Sequence, residues 1–241
     1  MTREYPVPVE GQIHMVVVSD DKEALLAAKA AGKASVELWK NDGGPFLARY
    51  VVESPEDLSQ EYLERVVRRH LGLPWEILRT ERLVIREFCL GDETCVPEDP
   101  EDGEADRTFR DRQRLREYIQ CQYGFYGYGI WAVTERRSGV IVGKAGVTNA
   151  WWESEGGQDP GEALELGYHI FTPYRERGYG REACQGILSW CQENSDFPYI
   201  YAKTDSQNQK SAGLLEKLGF CLTDQRCSGS GQRQFLFRRN C

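Results

Sequence analysis

The chain of 241 residues suits one large domain, or one domain with a smaller companion, and its 40% apolar and 11% aromatic content is too high for a disordered chain. No run approaches the ~20 apolar residues of a membrane span, and the opening MTREYPVPVEGQ lacks the basic-then-apolar pattern of a leader, so a cytoplasmic protein with no membrane partner is expected. Thirty Lys and Arg against 38 Asp and Glu leave a net charge of -8, which argues against a nucleic-acid partner.

Taken in chain order, the first part reads as strand IHMVVVSD, helix KEALLAAKAAG, strand ASVELW, a Gly-rich turn, strand ARYVVES and a helix from Pro55 to His70. Ser54 supplies a capping hydroxyl, Pro55 a compatible first position and Glu56-Asp57 the acids that suit a positive helix end. Alternating strands and helices predict a small parallel α/β layer over residues 1–75, divided from residues 82–241.

The run VVVSDDKEALLAAKAAG, with ARYVVESPEDL after it, resembles part of the haloacid-dehalogenase-like Rossmannoid domain, and Asp20 and Asp21 fall where that superfamily keeps metal-binding acids. Its nucleophilic DxDxT strand has no room in the 19 residues before Asp20, so phosphatase chemistry is not expected. A loop or helix-cap role for the two acids is the plainer reading.

The second part opens with strand RLVIREFCL. Gly91 to Asp106 then carries eight acids and no base, which reads as a solvated acidic loop, and a charged helix follows near Ala105 to Gln122. Strands YGIWAVTER and VIVGKAGVTNAWW flank a Ser138-Gly139 turn as a hairpin. A Gly-rich loop leads to strand LELGYHIF, then a helix from about Gly178 to Asn194, strand YIYAKTD, a helix from about Asn208 to Leu218, and strands CLTDQRC and RQFLFRR. The eight cysteines include no CxxC pair and read as reduced thiols. Cys184 and Cys191, seven apart on one helix face, read as core residues.

Chemistry concentrates in GYHIFTPYRERGYGREA. A strand feeds through a Pro-containing turn into a helix that starts with two glycines, Gly178 and Gly180, beside Arg175, Arg177 and Arg181. Unpaired N–H groups at such a start, with no Cβ in the way, predict phosphate binding.

This run resembles motif A of the GCN5-related N-acetyltransferases, R/Q-x-x-G-x-G/A, and GYHIFTPY is similar to the ribosomal-protein-alanine acetyltransferase branch. NQKSAGLLEKLGF resembles the family's second signature. The resemblance implies an α/β fold with a mixed, mostly antiparallel sheet and flanking helices over 82–241. It also implies acetyl-CoA as co-substrate, no metal, and transfer of acetyl to a primary amine, at a peptide N-terminus or on a small molecule, in a ternary complex. By the same resemblance, the backbone of Ile170, Phe171 and Thr172 would meet pantetheine. That of Arg175, Arg177, Gly178, Tyr179, Gly180 and Arg181 would hold the pyrophosphate, Asn208 the cofactor arm, and Ser211 would face the thiol.

Glu165, on the same strand, is the candidate general base, with an ion pair to an arginine or solvent exposure as the alternative. Where many relatives place an acidic Tyr the chain has Leu215, which moves the role of proton donor to Ser211, with Cys184 as a remote third choice. Trp151 and Trp152 point to opposite strand faces, so one is a candidate to line the acceptor pocket. His14, His70 and His169 lack metal-ligand spacing.

Two rivals stand beside this reading. Gly178 to Ala183 also spells G-x-G-x-x-A, with Asp205 after the next strand, as in a dinucleotide-binding oxidoreductase. A dinucleotide turn places its first glycine almost directly after the strand, however, and Thr172 to Arg177 intervene. The other rival is a non-catalytic sensor or scaffold that binds acetyl-CoA without transferring it. Oligomeric state has no sequence signal.

Overall fold

The computed structural model describes residues 1–40, 44–99, 104–152, 161–227 and 233–241, and the chain divides into two units, Met1–Trp75 and Glu76–Cys241. The first contains strands β1 (Thr2–Val9), β2 (Gln12–Ser19), β3 (Ala34–Leu38) and β4 (Tyr50–Val52), with helices α1 (Lys22–Ala30) and α2 (Gln60–His70). The sheet order is β1-β2-β3-β4: β2, β3 and β4 are parallel, but β1 is antiparallel to β2. The expected all-parallel layer is therefore mixed. Prolines argue against TREYPVPV as a strand, yet Pro6 and Pro8 sit exposed on the sheet edge, where a missing N–H is tolerated, and alternate with buried Val7 and Val9.

The core of this unit follows strand alternation. Val16 and Val18 join Val36, Leu63, Val66 and Val67 in one cluster, while Val17, buried outside it, points to the opposite face. The expected helix over 55–70 is split. Pro55–Asp57 form a 3-10 turn, and α2 starts only at Gln60, where the Ser59 side chain accepts the Tyr62 N–H. Asp21 caps α1 by accepting the N–H groups of Glu23 and Ala24.

The second unit carries β5 (Glu76–Arg79), β6 (Leu83–Arg86), α3 (Arg112–Tyr118), β7 (Ile130–Glu135), β8 (Ile141–Trp152), β9 (Gly161–Ile170), α4 (Tyr179–Asn194), β10 (Tyr199–Asp205), α5 (Gln209–Lys217), β11 (Cys221–Cys227) and β12 (Arg233–Asn240). Its eight-stranded sheet has the order β11-β12-β10-β9-β8-β7-β6-β5. Only β9 and β10 are parallel; every other neighbouring pair is antiparallel. This is the mixed, mostly antiparallel sheet expected. The unit begins at Glu76 because β5, absent from the sequence reading, pairs with β6.

Two expectations in this unit need correction. The helix near 105–122 is three pieces: a 3-10 turn at Glu104–Phe109, α3 capped by Asp111, and a π-helical stretch at Ile119–Tyr126. Tyr118 Oη accepts the Ile130 N–H at 2.6 Å and Tyr123 Oη donates to the Ile130 carbonyl at 2.5 Å, so this irregular helix grips the start of β7. The acidic segment is not simply solvated. Asp92 accepts from both Arg86 guanidinium nitrogens at 2.7 and 3.0 Å, and Glu93 from Arg112 at 2.6 Å.

Cys184 and Cys191 are buried on α4 with Ile187 and Leu188, and burial pushes both thiols above their ordinary range. Among the described residues no helix is long and apolar enough to cross a membrane.

Candidate functional site

The site forms where a strand loses its neighbour. β9 pairs with β8 through ten residue pairs, from Gly161–Trp152 to Ile170–Gly143, but with β10 only at Leu164–Ile200 and Glu165–Tyr201. Beyond Glu165 the two parallel strands part. The Phe171 N–H donates to the Val142 carbonyl, so by ladder alternation the odd-numbered residues of β9 spend their backbone groups on β8. Those of Leu166 and Tyr168, with the Ile170 N–H, turn into the gap.

Side chains divide by the same parity. Tyr168 reaches Ser211 on α5, and Ile170 lies beside Gly180 of α4, so the even-numbered residues face these helices. Glu165, Gly167 and His169 belong to the other face. The gap therefore connects two faces of the sheet, with Glu165 on one and Ser211 on the other.

From β9 the chain makes a 3-10 turn at Thr172–Tyr174, passes Glu176 at φ 65°, and enters α4 through Gly178 at φ 80°. Glycine adopts that left-handed conformation without the Cβ strain other residues meet. No side chain caps this helix start, which leaves its first N–H groups available to an anion. A Cβ on Gly180 would lie 3.4 Å from Ile170 Cγ1 and 3.6 Å from Leu214 Cδ2, ordinary contact distances that place this turn of α4 against β9 and α5.

Two networks hold this turn. Glu182 accepts from Thr80 Oγ1 at 2.6 Å, the Arg82 N–H at 2.8 Å and Arg82 Nε at 2.7 Å, and Arg82 Nη1 donates to the Arg177 carbonyl at 2.9 Å. Burial pushes the Glu182 carboxyl up, but these bonds outweigh it and leave the group below the ordinary carboxylate range. The Tyr179 hydroxyl, whose ring lies under the Arg82 guanidinium, donates to Glu135. On the other side stands Asp99, from the acidic segment, its side chain 3% exposed. It accepts from Thr172 Oγ1 at 2.7 Å and Arg175 Nη2 at 3.1 Å, with His169 Nε2 at 3.4 Å.

The residues named from sequence take definite places. Arg175 spends Nε on the Ile170 carbonyl at 2.9 Å and its head on Asp99, so its side chain braces the turn. Arg177 and Arg181 are exposed. The Phe171 carbonyl accepts from the Tyr174 N–H and that of Thr172 from the Arg175 N–H, so the groups facing the gap lie earlier on β9 than Phe171 and Thr172. Asn208 Oδ1 accepts the Ser211 N–H at 3.0 Å and caps α5. Ser211 Oγ lies 2.7 Å from Tyr168 Oη. Glu165 accepts from Lys203 Nζ at 2.7 Å, a lysine where the alternative reading expected an arginine. Leu215 is fully buried, which leaves Ser211 as the hydroxyl of α5 beside β9.

The backbones of Trp151 and Trp152 pair with Glu162 and Gly161, but their side chains lie outside the described residues. Among the described residues no group of three or more His, Cys, Asp or Glu gathers as a metal set. The dinucleotide reading fails on geometry. The 3-10 turn separates β9 from Gly178, the parallel ladder stops after two pairs, and Asp205 Oδ1 accepts the Gln207 N–H within a turn.

Sequence reading missed Asp99, Arg82, Glu182 and Tyr168. Only Tyr168 left a signal, since it shares the period-two face of Ile170 in LELGYHIF. The others act across 73, 100 and 102 positions of chain.

The acetyltransferase (GNAT) domain family model matches residues 82–221, more than half of the chain. Among curated proteins the chain is similar to the uncharacterized N-acetyltransferase YjdG of Bacillus subtilis (strain 168), 29% identical over 108 residues, 45% of this chain and 60% of that protein. It is also similar to the uncharacterized protein YkkB of the same strain, 25% identical over 113 residues, 46% of this chain and 62% of that one. The chain thus spans about three fifths of the length of these relatives.

Among solved structures, a GNAT-family acetyltransferase from Bacillus anthracis superposes with a TM-score of 0.52 at 19% identity, covering 68% of this chain and 97% of that one. A ribosomal-protein-S5-alanine acetyltransferase from Vibrio fischeri gives 0.54 at 16% identity, covering 68% and 95%. At such identities the likeness shows the fold alone. The parted parallel strands, the glycine-started helix and the family match over 82–221 lead to one conclusion: this chain belongs to the GNAT acetyltransferase family.

Proposed function

We propose that the chain is an acetyl-CoA-dependent N-acetyltransferase that moves an acetyl group to a primary amine by direct attack in a ternary complex. The observation that carries this reading is the gap between β9 and β10, with the uncapped, glycine-started end of α4 beside it. The residues present fit acetyl-CoA. Backbone groups of Leu166 and Tyr168 and the N–H of Ile170 suit an amide-bearing arm, and Gly178 to Arg181 present N–H groups without a side-chain cap for a pyrophosphate. Bound there, acetyl-CoA supplies an already activated acyl thioester.

The chain's own residues have little left to do beyond alignment and charge placement. Glu165 takes the proton of the acceptor amine. Its ion pair with Lys203 shows that the carboxylate sits where an ammonium can reach it, and an acceptor ammonium exchanges for Lys203. Ser211, on the opposite face, attends the departing sulfur. The acceptor is a protein N-terminus or a small-molecule amine, and the fold likeness to a ribosomal-protein-S5-alanine acetyltransferase makes the former the first to test. Residues 1–75 form a separate module in this proposal. Their resemblance to a truncated haloacid-dehalogenase-like fragment carries no phosphatase role, because Asp21 caps α1 and Asp20 pairs with Lys40 at 3.2 Å.

The test is mass spectrometry of two pools incubated with protein and acetyl-CoA, one of peptides with free N-termini and one of small amines and polyamines. Acetylation confined to one pool establishes the enzyme and its acceptor class. The Glu165–Lys203 pair favours one rival, a non-catalytic acetyl-CoA sensor. Binding of acetyl-CoA with no product in either pool, and none from a Lys203→Ala variant that frees Glu165, decides for the sensor.

A further inference from the structure

Tyr168 and Ser211 are 43 residues apart, on β9 and at the start of α5, and meet with their hydroxyls 2.7 Å apart, while the Ser211 carbonyl, the phenol's other acceptor, is farther at 3.3 Å. Tyr168 belongs to the part of β9 that β10 leaves unpaired, so the contact stands at the gap itself. The serine is held from below as well, its N–H donated to Asn208 Oδ1. Burial pushes the Tyr168 hydroxyl up to about 12, so it keeps its proton at neutral pH. A serine hydroxyl has one proton and two lone pairs. When the phenol donates to Ser211 Oγ, it occupies one lone pair and leaves the serine proton to be aimed elsewhere.

Building on the proposed transferase reading, we propose that Tyr168 is a positioning residue: its hydroxyl donates to Ser211 Oγ, fixes the serine rotamer and turns the serine proton into the gap, onto the sulfur of coenzyme A. In the reaction the amine nitrogen bonds to the acyl carbon, the carbon–sulfur bond breaks, and its electron pair stays on sulfur. Ser211 donates a hydrogen bond to that charge and keeps its proton. Full transfer is uphill, because a thiol titrates near 8.5, far below either hydroxyl of the pair. The sulfur is protonated later by water. Tyr168 thus acts only through Ser211.

The experiment needs no acceptor. Ultraviolet titration of the full chain saturated with coenzyme A, minus the same chain with desulfo-coenzyme A, reads the bound thiol and cancels the eight cysteines of the chain. A hydrogen bond to the thiolate lowers its pKa. Ser211→Ala is expected to raise it by about one unit, a tenfold weaker acid, and Tyr168→Phe by about half as much. The double variant is expected to match Ser211→Ala alone, and Ser211→Thr to keep most of the wild-type value.

Additive shifts in the double variant, or no shift for Tyr168→Phe beside a clear shift for Ser211→Ala, overturn the positioning role. No shift in any variant overturns the Ser211 contact as well, while absence of coenzyme A binding by the wild type overturns the transferase reading itself. If Tyr168→Phe does not fold, 3,5-difluorotyrosine at position 168 replaces it. A stronger phenolic donor is then expected to lower the thiol pKa, and an unchanged value counts against the proposal.

Discussion

The two flanks of β9 are opposites. On the β8 side the ladder runs for ten pairs and is drawn tight at a glycine: a Cβ on Gly143 would come within 2.5 Å of the His169 carbonyl oxygen and 3.0 Å of Ile170 Cα. On the β10 side the ladder stops after two pairs, and the helix start at Gly178 and the Tyr168–Ser211 contact stand along the opening. One strand is thus held by its closed edge so that its other edge can offer backbone groups to a ligand. In the proposed reading, stability and binding fall on different sides of the same residues.

Glycine substitutions on the two sides break this comparison most sharply. Gly143→Val places branched carbon against the His169 and Ile170 backbone, which cannot yield as a flexible side chain can, and is expected to cost about 3 kcal/mol or more. Gly180→Ala meets only ordinary contacts at 3.4 and 3.6 Å and gains up to about 1 kcal/mol of helix propensity, so stability is expected to hold or rise. Acetyl-CoA affinity is expected to fall about tenfold, because the backbone loses its close approach to an anion. Urea unfolding and titration calorimetry on the two variants give both quantities. A Gly180→Ala chain that binds acetyl-CoA as tightly as wild type removes the cradle from the argument.

Asp99 tests whether the open side is held as deliberately as the closed one. Asp99→Ala removes the acceptor shared by Thr172 and Arg175 and leaves the Arg175 head without that partner. The loss is expected at about 2 kcal/mol, below that of a fully buried pair because the Arg175 side chain is 34% exposed. The turn before α4 then loosens, and acetyl-CoA binding weakens with it. Equal stability with unchanged binding shows that Asp99 is incidental.

This arrangement explains what was legible in sequence. The glycine-started helix and NQKSAGLLEKLGF are continuous runs, so they read directly as elements, whereas Asn208, expected on the cofactor arm, turns its Oδ1 to the Ser211 N–H as the cap of α5. The opening of the sheet is a property of two strands whose paired residues, Leu164 with Ile200 and Glu165 with Tyr201, are distant in sequence, and no local pattern reports where a ladder stops. Asp99 was hidden for a related reason: among eight acids in one segment, nothing marks the one that will be buried against a turn more than 70 residues later. β1 was hidden by Pro6 and Pro8, which signal a non-strand unless the strand is an edge. Gly91 to Asp106 misled by composition, since a run of one charge reads as solvated until its counter-charges, Arg86, Arg112 and Arg175, arrive from other elements.

Glu182 offers the finest comparison, because it fastens the open side from below without facing the gap. Its carboxylate is held below the ordinary range, against the effect of burial, by Thr80 and by the backbone and side chain of Arg82. A carboxyl with a depressed folded-state pKa adds stability above its unfolded value, near 4.5, and loses it as pH falls through the lower folded value. Glu182→Gln is therefore expected to cost about 1 kcal/mol at neutral pH, modest because Arg82 is 45% exposed. That deficit is expected to shrink as the solution is acidified below pH 4.5, where the wild-type carboxyl begins to resemble the amide. Melting curves of the two proteins from pH 7 to pH 3 measure the gap. A constant gap assigns the cost to shape, whereas a closing one shows that the negative charge of Glu182 holds Arg82, and through it the Arg177 carbonyl just before Gly178.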